Sequence, residues 1–517
     1  MDLTVFGDKR FKFIMICSFV WGVVAHGMEM FHKFSYHDDA MWVEGFADHE
    51  TYGLGRWGLG VAGKLASVLY GGRHSSTSAV NSVITIASIA IILFLICVKL
   101  NIENRVIITA LSGVMTCFPA ITAIFGFVYT AHYYYFAALI GVLGAYVFYE
   151  HKSIGTFIVC ALFMTVSAAV YQANIPINMM VLLLFMLEEV YSSELNWRQY
   201  IFITLKNVLM CISFMALYLL GNKALLFVMN MELSDYKGVS SFGMTGVTGY
   251  VTRIFDAYKR FLNPADYLIQ GKGISANMFP WGIKYYHMLL IVTTVVLIIM
   301  LFKKVSSVRK IVMLSLIVMI SPFFAYFIYF MAGEPEVHGL MTYGEVFMFF
   351  IPAYAIERLG GVNKESGRVI NVFSWAGIAL MLVIAVLYTR YANVCYLKAD
   401  VMQTEAISYY NTLITRIQST EGYTADTPVV YIEDRSKNDD SFSGNKAFDP
   451  IYLPPYQGNS IINDFAWEET MELWCGFAPV KGDEEELDPK VIEGMSVYPD
   501  DGSVKMVKGT VVVKFSD

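Results

Sequence analysis

Charge is what this chain has least of. Asp, Glu, Lys and Arg make up 16% of its 517 residues, against about a quarter in an ordinary soluble domain, which excludes a water-soluble globular body of this length. Cysteine is sparse as well. The seven thiols are scattered, and Cys17, Cys97, Cys117, Cys160 and Cys211 fall in or beside apolar runs, where a thiol behaves as a small hydrophobe. That spacing supplies neither a zinc cluster nor a disulfide framework, and leaves open only a Cys395–Cys475 bridge in an oxidising compartment. There is no internal repeat and no low-complexity segment. Nor is there a nucleotide-phosphate motif, because Gly53-x-Gly55 lacks both the preceding strand and the spacing of a dinucleotide fingerprint.

What is present is hydrocarbon: 56% of the residues are hydrophobic, and the mean hydropathy is +0.52. A bilayer core about 30 Å thick takes about 20 apolar residues as helix. About 11 such spans are legible, near residues 11–31, 79–98, 106–127, 131–149, 154–172, 175–190, 200–221, 286–302, 311–331, 343–357 and 369–390. The chain is thus expected to be an α-helical polytopic membrane protein. The first run offers the small residues Ala25-x-Gly27 of a cleavage site, but its length suits an anchor.

Charge then divides the chain. Before Tyr391 there are 27 basic and 22 acidic residues, and from Tyr391 onward 10 and 22. A membrane body over residues 1–390 and an acidic, water-facing domain over 391–517 follow. Within the latter, Pro428–Ile432 and Thr510–Phe515 read as strands separated by turn-rich stretches, so a small C-terminal α/β domain is expected.

Lys9, Arg10 and Lys12 precede the first span, Lys303, Lys304, Arg309 and Lys310 fill one short loop, and Arg358, Lys364 and Arg368 another. Lysine and arginine collect on the cytoplasmic side. The amino terminus is therefore expected inside and, after an odd number of spans, the C-terminal domain outside. Three outer segments too long or too polar to be mere turns, residues 32–78, 222–285 and the short stretch 332–342, are where function is expected.

Ionisable side chains are densest in the first of these loops: His32, Tyr36, His37, Asp38, Asp39, Glu44, Asp48, His49 and Glu50. For Glu44, Asp48 and Glu50 a solvated loop is explanation enough. The adjacent pair Asp38-Asp39 is different, since two neighbouring carboxylates beside the apolar Ala40-Met41-Trp42-Val43 raise one another's pKa, as a general base requires. Metal binding by His37, Asp38 and Asp39 is a rival use, although the ligands lack an ordered spacing. No cofactor is otherwise indicated.

Beyond the carboxylates comes Tyr52-Gly-Leu-Gly-Arg-Trp-Gly58, a glycine-rich turn around Arg56 and Trp57. An arginine fork suits a phosphate, and Trp57 can stack on a sugar; anchoring both residues at the interface is the plainer use. The segment Ala169-Val-Tyr-Gln-Ala-Asn-Ile-Pro176 sets Tyr171, Gln172 and Asn174 at the end of a span, to serve either substrate or helix packing. Val251, Ile254, Phe255, Tyr258, Phe261 and Leu262 recur at helical spacing beside Arg253, Lys259 and Arg260, as in an amphipathic helix on the membrane surface. Gly333-Glu-Pro-Glu-Val-His338, followed by Glu345, supplies Glu334, Glu336 and His338 to the last outer loop, either as cleft residues or as loop polarity.

The motif Tyr36-His-Asp-Asp39, the Gly55-Arg-Trp-Gly58 turn and the Tyr171-Gln172 pair resemble the bacterial Gtr type II glucosyltransferases, which modify O-antigen and related surface polysaccharides. The resemblance covers roughly residues 10–390. It implies a GT-C-like fold in the bacterial cytoplasmic membrane and transfer of a sugar, glucose in that family, from a polyprenyl-phosphate donor such as undecaprenyl-phosphate glucose. The acceptor it implies is a hydroxyl of a polysaccharide or lipid-linked glycan on the outer face, and the reaction inverts the anomeric carbon. Asp38 or Asp39 would then be the base, Arg56, Arg253, Lys259 and Arg260 would hold the donor phosphate, and His37, Trp57, Tyr171, Gln172, Glu334, Glu336 and His338 would bind substrate. Membrane lipids are the further partners expected, and no nucleic acid. A transporter or flippase of a lipid-linked sugar is the alternative from another class, although the charged residues gather outside the spans rather than at the midplane. A non-catalytic subunit whose tail binds surface polymer is a third.

Overall fold

The computed structural model describes residues 7–32, 51–70, 77–234, 247–262, 282–331, 337–362, 367–433 and 466–517. Among them, the residues up to Asn393 form one compact unit and those from Val394 onward a second.

The first unit is helical throughout. Its helices are α1 (Lys9–Phe31), α2 (Trp57–Tyr70), α3 (Ser78–Lys99), α4 (Arg105–Cys117), α5 (Pro119–Ile124), α6 (Val128–His151), α7 (Ile154–Val170), α8 (Ile175–Ser192), α9 (Trp197–Met229), α10 (Val247–Leu262), α11 (Gly282–Lys303), α12 (Val308–Ala325), α13 (Phe327–Met331), α14 (Phe350–Leu359) and the part up to Asn393 of α15 (Arg368–Gln418), whose remaining residues belong to the second unit. Capping residues set many of the ends. The Asp8 side chain accepts from the Arg10 amide at 2.8 Å to start α1, and the hydrogen bond from the Arg10 guanidinium holds its carboxyl below the usual carboxylate range. Ser153 with Thr156 and Asn196 with Gln199 close capping boxes on α7 and α9. Pro119 and Pro176 occupy first turns, where a missing amide proton costs nothing.

Eight helical stretches among the described residues are long and apolar enough to cross a membrane. Ser78–Lys99, Arg105–His151 and Gln172–Ser192 are mostly buried and make the centre of the unit, whereas Trp197–Met229 and the α11 stretch bury only one side. That count is lower than the 11 spans expected because several runs are broken or short. The Arg105–His151 stretch is interrupted at Phe118 and by a single 3-10 turn at Phe125–Phe127, α7 has 17 residues, and the run before α14 is a 3-10 helix over Tyr343–Phe349.

Side-chain contacts sort the helix ends into two groups. At one end Arg10 donates to the carbonyls of Cys97 and Ile102, Lys99 pairs with Glu150, Lys152 with Glu189 and Lys310 with Glu194, and Lys304 donates to the Leu359 carbonyl. Glu188, Tyr354 and Arg358 are joined there as well. At the other end Asn81 donates to the Val128 carbonyl, Gln172 to that of Leu54, and Ser234 to that of Gly53.

In the second unit β1 (Val429–Ile432), β2 (Val504–Val507) and β3 (Thr510–Lys514) form a sheet of order β1-β3-β2. Val429 lies opposite Val511 in the parallel pair, and Val504 opposite Val513 in the antiparallel one. The buried Val511 and Val513 pack with Phe515, Trp467 and Tyr410, Leu413 and Ile417 of α15. The helices α16 (Trp467–Cys475) and α17 (Pro489–Glu493) complete it. Neither Cys395 nor Cys475 is in a disulfide.

Candidate active site

The glycine-rich turn is built from its backbone outward. Gly55 has φ +73°, a conformation that side chains with a Cβ resist. The Gly55 amide donates to the Tyr52 carbonyl at 3.0 Å and the Arg56 amide to that of Thr51 at 2.7 Å. Gln172 Nε2 donates to the Leu54 carbonyl at 2.6 Å, and the Tyr218 hydroxyl to the Gly55 carbonyl at 3.1 Å. Every carbonyl that the tight turn leaves inside is thereby answered, as burial demands. Close packing follows: a Cβ on Gly58 would sit 2.8 Å from the Ala169 carbonyl carbon and the Val170 nitrogen, so glycine lets α2 lie directly on the end of α7.

The turn presents Arg56 to a tyrosine pair. The guanidinium carbon lies 5.6 Å from the centre of the Tyr171 ring, and Nη1 donates to the Tyr134 hydroxyl at 3.4 Å. Tyr134 and Tyr171 are stacked, with centroids 4.0 Å apart and 6° between planes. Asn174 Nδ2 donates to the carbonyls of Tyr134 and Ser167, each at 3.1 Å, which ties α6 to the turn after α7. Both tyrosines are buried, while Arg56 and Trp57 are half-buried. The Tyr171 hydroxyl has no hydrogen-bond partner among the described residues. Trp57 Nε1 donates to the Tyr218 carbonyl at 3.3 Å, and a Cβ on Gly221 would meet the Trp57 ring at 2.8 Å.

Of the residues singled out in the sequence, Arg56, Trp57, Tyr171 and Gln172 are brought together. Arg253 and Arg260 lie on α10, which packs on α12 and α13. Arg253 donates to the Phe330 carbonyl at 3.1 Å, Arg260 sits 4.0 Å over the Tyr329 ring, and Lys259 is exposed. Beneath α10 is a cavity of about 160 Å³, largely apolar, bounded by Phe261, Leu290, Pro322 and Phe349 with Glu345 and His287 among its walls. His287 Nε2 and the Tyr388 hydroxyl are 2.9 Å apart. His338 is half-buried at the start of the segment leading to Glu345. His37, Asp38, Asp39, Glu334 and Glu336 lie outside the described residues.

Tyr134 was not singled out in the sequence. It stands in the run His132-Tyr-Tyr-Tyr135, whose polar ring tips inside an apolar helix are the one signal that marks it. Asn174, read with Tyr171 and Gln172 at the end of the span, fixes one backbone, and Tyr218, which fixes the other, carries no sequence signal beyond polarity near a span end.

The arrangement offers a half-buried cation held beside aromatic side chains, at the end of the helices from which the first long loop runs. No curated protein and no solved structure matches the chain. The family model described as glucosyl transferase GtrII matches residues 27–349, a stretch that holds the whole Arg56 cluster, so the chain belongs to the GtrII glucosyl transferase family and is a glycosyltransferase rather than a transporter.

Proposed function

We propose that the protein moves glucose from a polyprenyl-phosphate carrier to a hydroxyl of a cell-surface polysaccharide on the outer face of the cytoplasmic membrane. Asp38 or Asp39 takes the proton of the acceptor hydroxyl as its oxygen attacks the anomeric carbon. The bond from that carbon to the phosphate oxygen breaks on the opposite face, the configuration inverts, and the lipid phosphate leaves with the bonding pair. Arg56 offsets the charge on the departing phosphate, where a planar fork matches two oxygens at once. Trp57 borders the sugar, and Tyr171 and Gln172 serve by fixing the turn that carries Arg56.

The observation that carries this reading is the convergence of two distant motifs, residues 52–58 and 169–174, on one half-buried arginine. Arg253 and Arg260, on the surface helix above the apolar cavity, suit the path of the same anionic lipid, with hydrocarbon below and cations above. The contacts at the helix ends support eleven crossings. Three segments make up the crossings beyond the eight long stretches: α7, the 343–359 segment, and the division of 105–151 at Phe125–Phe127.

Purified full-length protein supplied with labelled undecaprenyl-phosphate glucose and envelope polymer should transfer label to the polymer and release undecaprenyl phosphate. Label that appears from a nucleotide sugar, and not from the lipid donor, would refute the proposal.

A further inference from the structure

Helices joined by a short loop usually lie side by side, but α11 and α12 part. Helix α11 packs on α14 and α12 on α8, and the apolar cavity beneath α10 lies between them. From α11 it is lined by His287, Leu290, Ile291, Thr294, Val295 and Ile298, a stripe at helical spacing, about 16 Å long at 1.5 Å per residue. Spread along that length, about 160 Å³ is a slot the width of one hydrocarbon chain, with Val318 and Pro322 of α12 as its facing wall. Val295 lines the slot and is still 51% exposed, so the slot opens sideways, from a helix long and apolar enough to cross a membrane.

Polarity changes along the slot. His287 and Glu345 stand in its wall toward the end that α10 covers, and His287 Nε2 lies 2.9 Å from the Tyr388 hydroxyl. Further down, toward Lys303, the one polar side chain of the lining among the described residues is Thr294, whose hydroxyl is spent on the Leu290 carbonyl at 2.6 Å. Helix α10 is fastened over the polar end. The Tyr258 hydroxyl donates to the Met319 carbonyl at 2.8 Å, and Phe261 reaches into the wall of the slot. Two residues before Phe261, Lys259 is exposed, a cation at the level where an anionic headgroup lies. A guest that matches this gradient is a single apolar chain with a negative head.

We propose that this slot takes the polyprenyl chain of the lipid-phosphate donor, which enters sideways from the bilayer between α11 and α12 with its phosphate at the α10 end. The inference rests on the reading that the donor is a lipid phosphate and adds where its chain lies; it does not draw on Arg56. A chain gains little by leaving lipid, whose tails are as apolar as the slot. What the slot adds is selection by shape, because close packing rewards the one chain that fills it, and the paired chains of a phospholipid do not fit a width of one.

The test uses full-length protein in phosphatidylcholine nanodiscs and undecaprenyl phosphate carrying a photoreactive diazirine on its chain. Crosslinks should fall on α11 and α12 between residues 287 and 322. Excess undecaprenyl phosphate should remove them and excess phosphatidylglycerol should not. Ile298→Trp fills the floor of the slot and Val318→Trp fills it from the facing wall. Each should weaken binding of labelled undecaprenyl phosphate by about tenfold or more, the usual cost of a misfit in an apolar pocket. Ile298→Trp should leave binding of prenyl phosphate, which has a single isoprene unit and does not reach the floor, within about twofold.

Crosslinks elsewhere on the protein would overturn the proposal, and so would crosslinks that phosphatidylglycerol removes equally well, since the slot would then be an ordinary lipid site. Equal loss of both ligands in Ile298→Trp would overturn it too, because a blocked floor must matter only to the longer chain. Should either tryptophan variant fail to fold, as read from its thermal midpoint, the crosslinks on the unaltered protein decide. If undecaprenyl-phosphate glucose donates its sugar while the chain crosslinks elsewhere, only the chain site is wrong. If undecaprenyl phosphate neither binds nor carries a transferable sugar, the reading of the donor fails, and the inference goes with it.

Discussion

Glu188 illustrates how burial fixes the role of a charged residue. Glu188 is buried, and its oxygens accept from Tyr354 at 2.7 Å, Arg358 at 2.5 Å and Asn101 at 3.2 Å, and from the Ser192 hydroxyl. With its lone pairs taken, it serves as a clamp between α8, α14 and the turn after α3. Glu188→Ala leaves the Arg358 charge half-buried and uncompensated, which costs about 3 kcal/mol. The thermal midpoint of the purified protein should drop by several degrees, and an unchanged midpoint would show that the clamp is dispensable. Asp38 and Asp39 are proposed for the opposite role, as carboxylates with a basic oxygen to spend. Asn keeps the volume and removes that oxygen, so at least one of Asp38→Asn and Asp39→Asn should lower turnover by about 10²–10⁴ with donor binding and midpoint retained. If both single mutants keep near-normal turnover the base lies elsewhere, and the acidic residues of the last outer loop are the next to replace.

The glycine-rich turn depends on contacts between elements that no single residue supplies. Gly58 carries no chemistry, yet a methyl group there would meet backbone atoms of Ala169 and Val170 at 2.8 Å, and backbone cannot swing aside as a side chain can. Gly58→Ala should therefore push α2 off α7, cost about 1–3 kcal/mol in overpacking, and weaken binding of undecaprenyl phosphate by displacing Arg56. A mutant normal in both midpoint and affinity would show that α2 is not what places Arg56. That turn was legible in the sequence because three glycines around an arginine are hard to explain otherwise. Its partner at residues 169–174 was legible as a site candidate, but not as the piece that docks on it, since docking depends on tertiary contact. The strands at 429–432 and 510–514 fall on the runs read as strands, because β-branched residues bounded by turns leave little ambiguity. Helix α10 was legible as amphipathic, but the direction of its faces was not. Val251, Phe255 and Leu262 are exposed, while Arg253 and Arg260 turn onto α13, since a chain whose surroundings are apolar can expose its apolar stripe and bury its cations against carbonyls and rings. Tyr134 stayed hidden because three consecutive tyrosines in an apolar helix point in different directions, and only the packing selects the one that faces Arg56.

At the scale of the whole molecule the question is which end of the helix body faces the cytoplasm, and the distribution of cations gives a prediction that labelling can test. Arg10, Lys99, Lys152, Lys304, Lys310 and Arg358 converge on one end of the helices, many of them paired with carboxylates or carbonyls there. The Arg56 turn, Gln172 and the Asn81–Val128 contact occupy the other. Lysine and arginine in short loops are retained on the cytoplasmic side during insertion, so the first end should be inside and the Arg56 end outside, where lipid-linked sugars are presented to surface polymers. With the eleven crossings proposed above, residues 419–517 should lie outside as well. Single cysteines placed in a background lacking the seven native thiols test each half of this separately. Ser306→Cys sits in the exposed loop between α11 and α12, and Glu421→Cys is exposed just beyond α15. In intact cells whose outer barrier is opened, an impermeant thiol reagent should label Glu421→Cys at once and Ser306→Cys only after the cytoplasmic membrane is permeabilised. Labelling of both from outside would mean that a crossing has been miscounted between residues 306 and 421. Labelling of Ser306→Cys alone would invert the whole arrangement and place Arg56 in the cytoplasm, where a polymer acceptor on the cell surface cannot reach it.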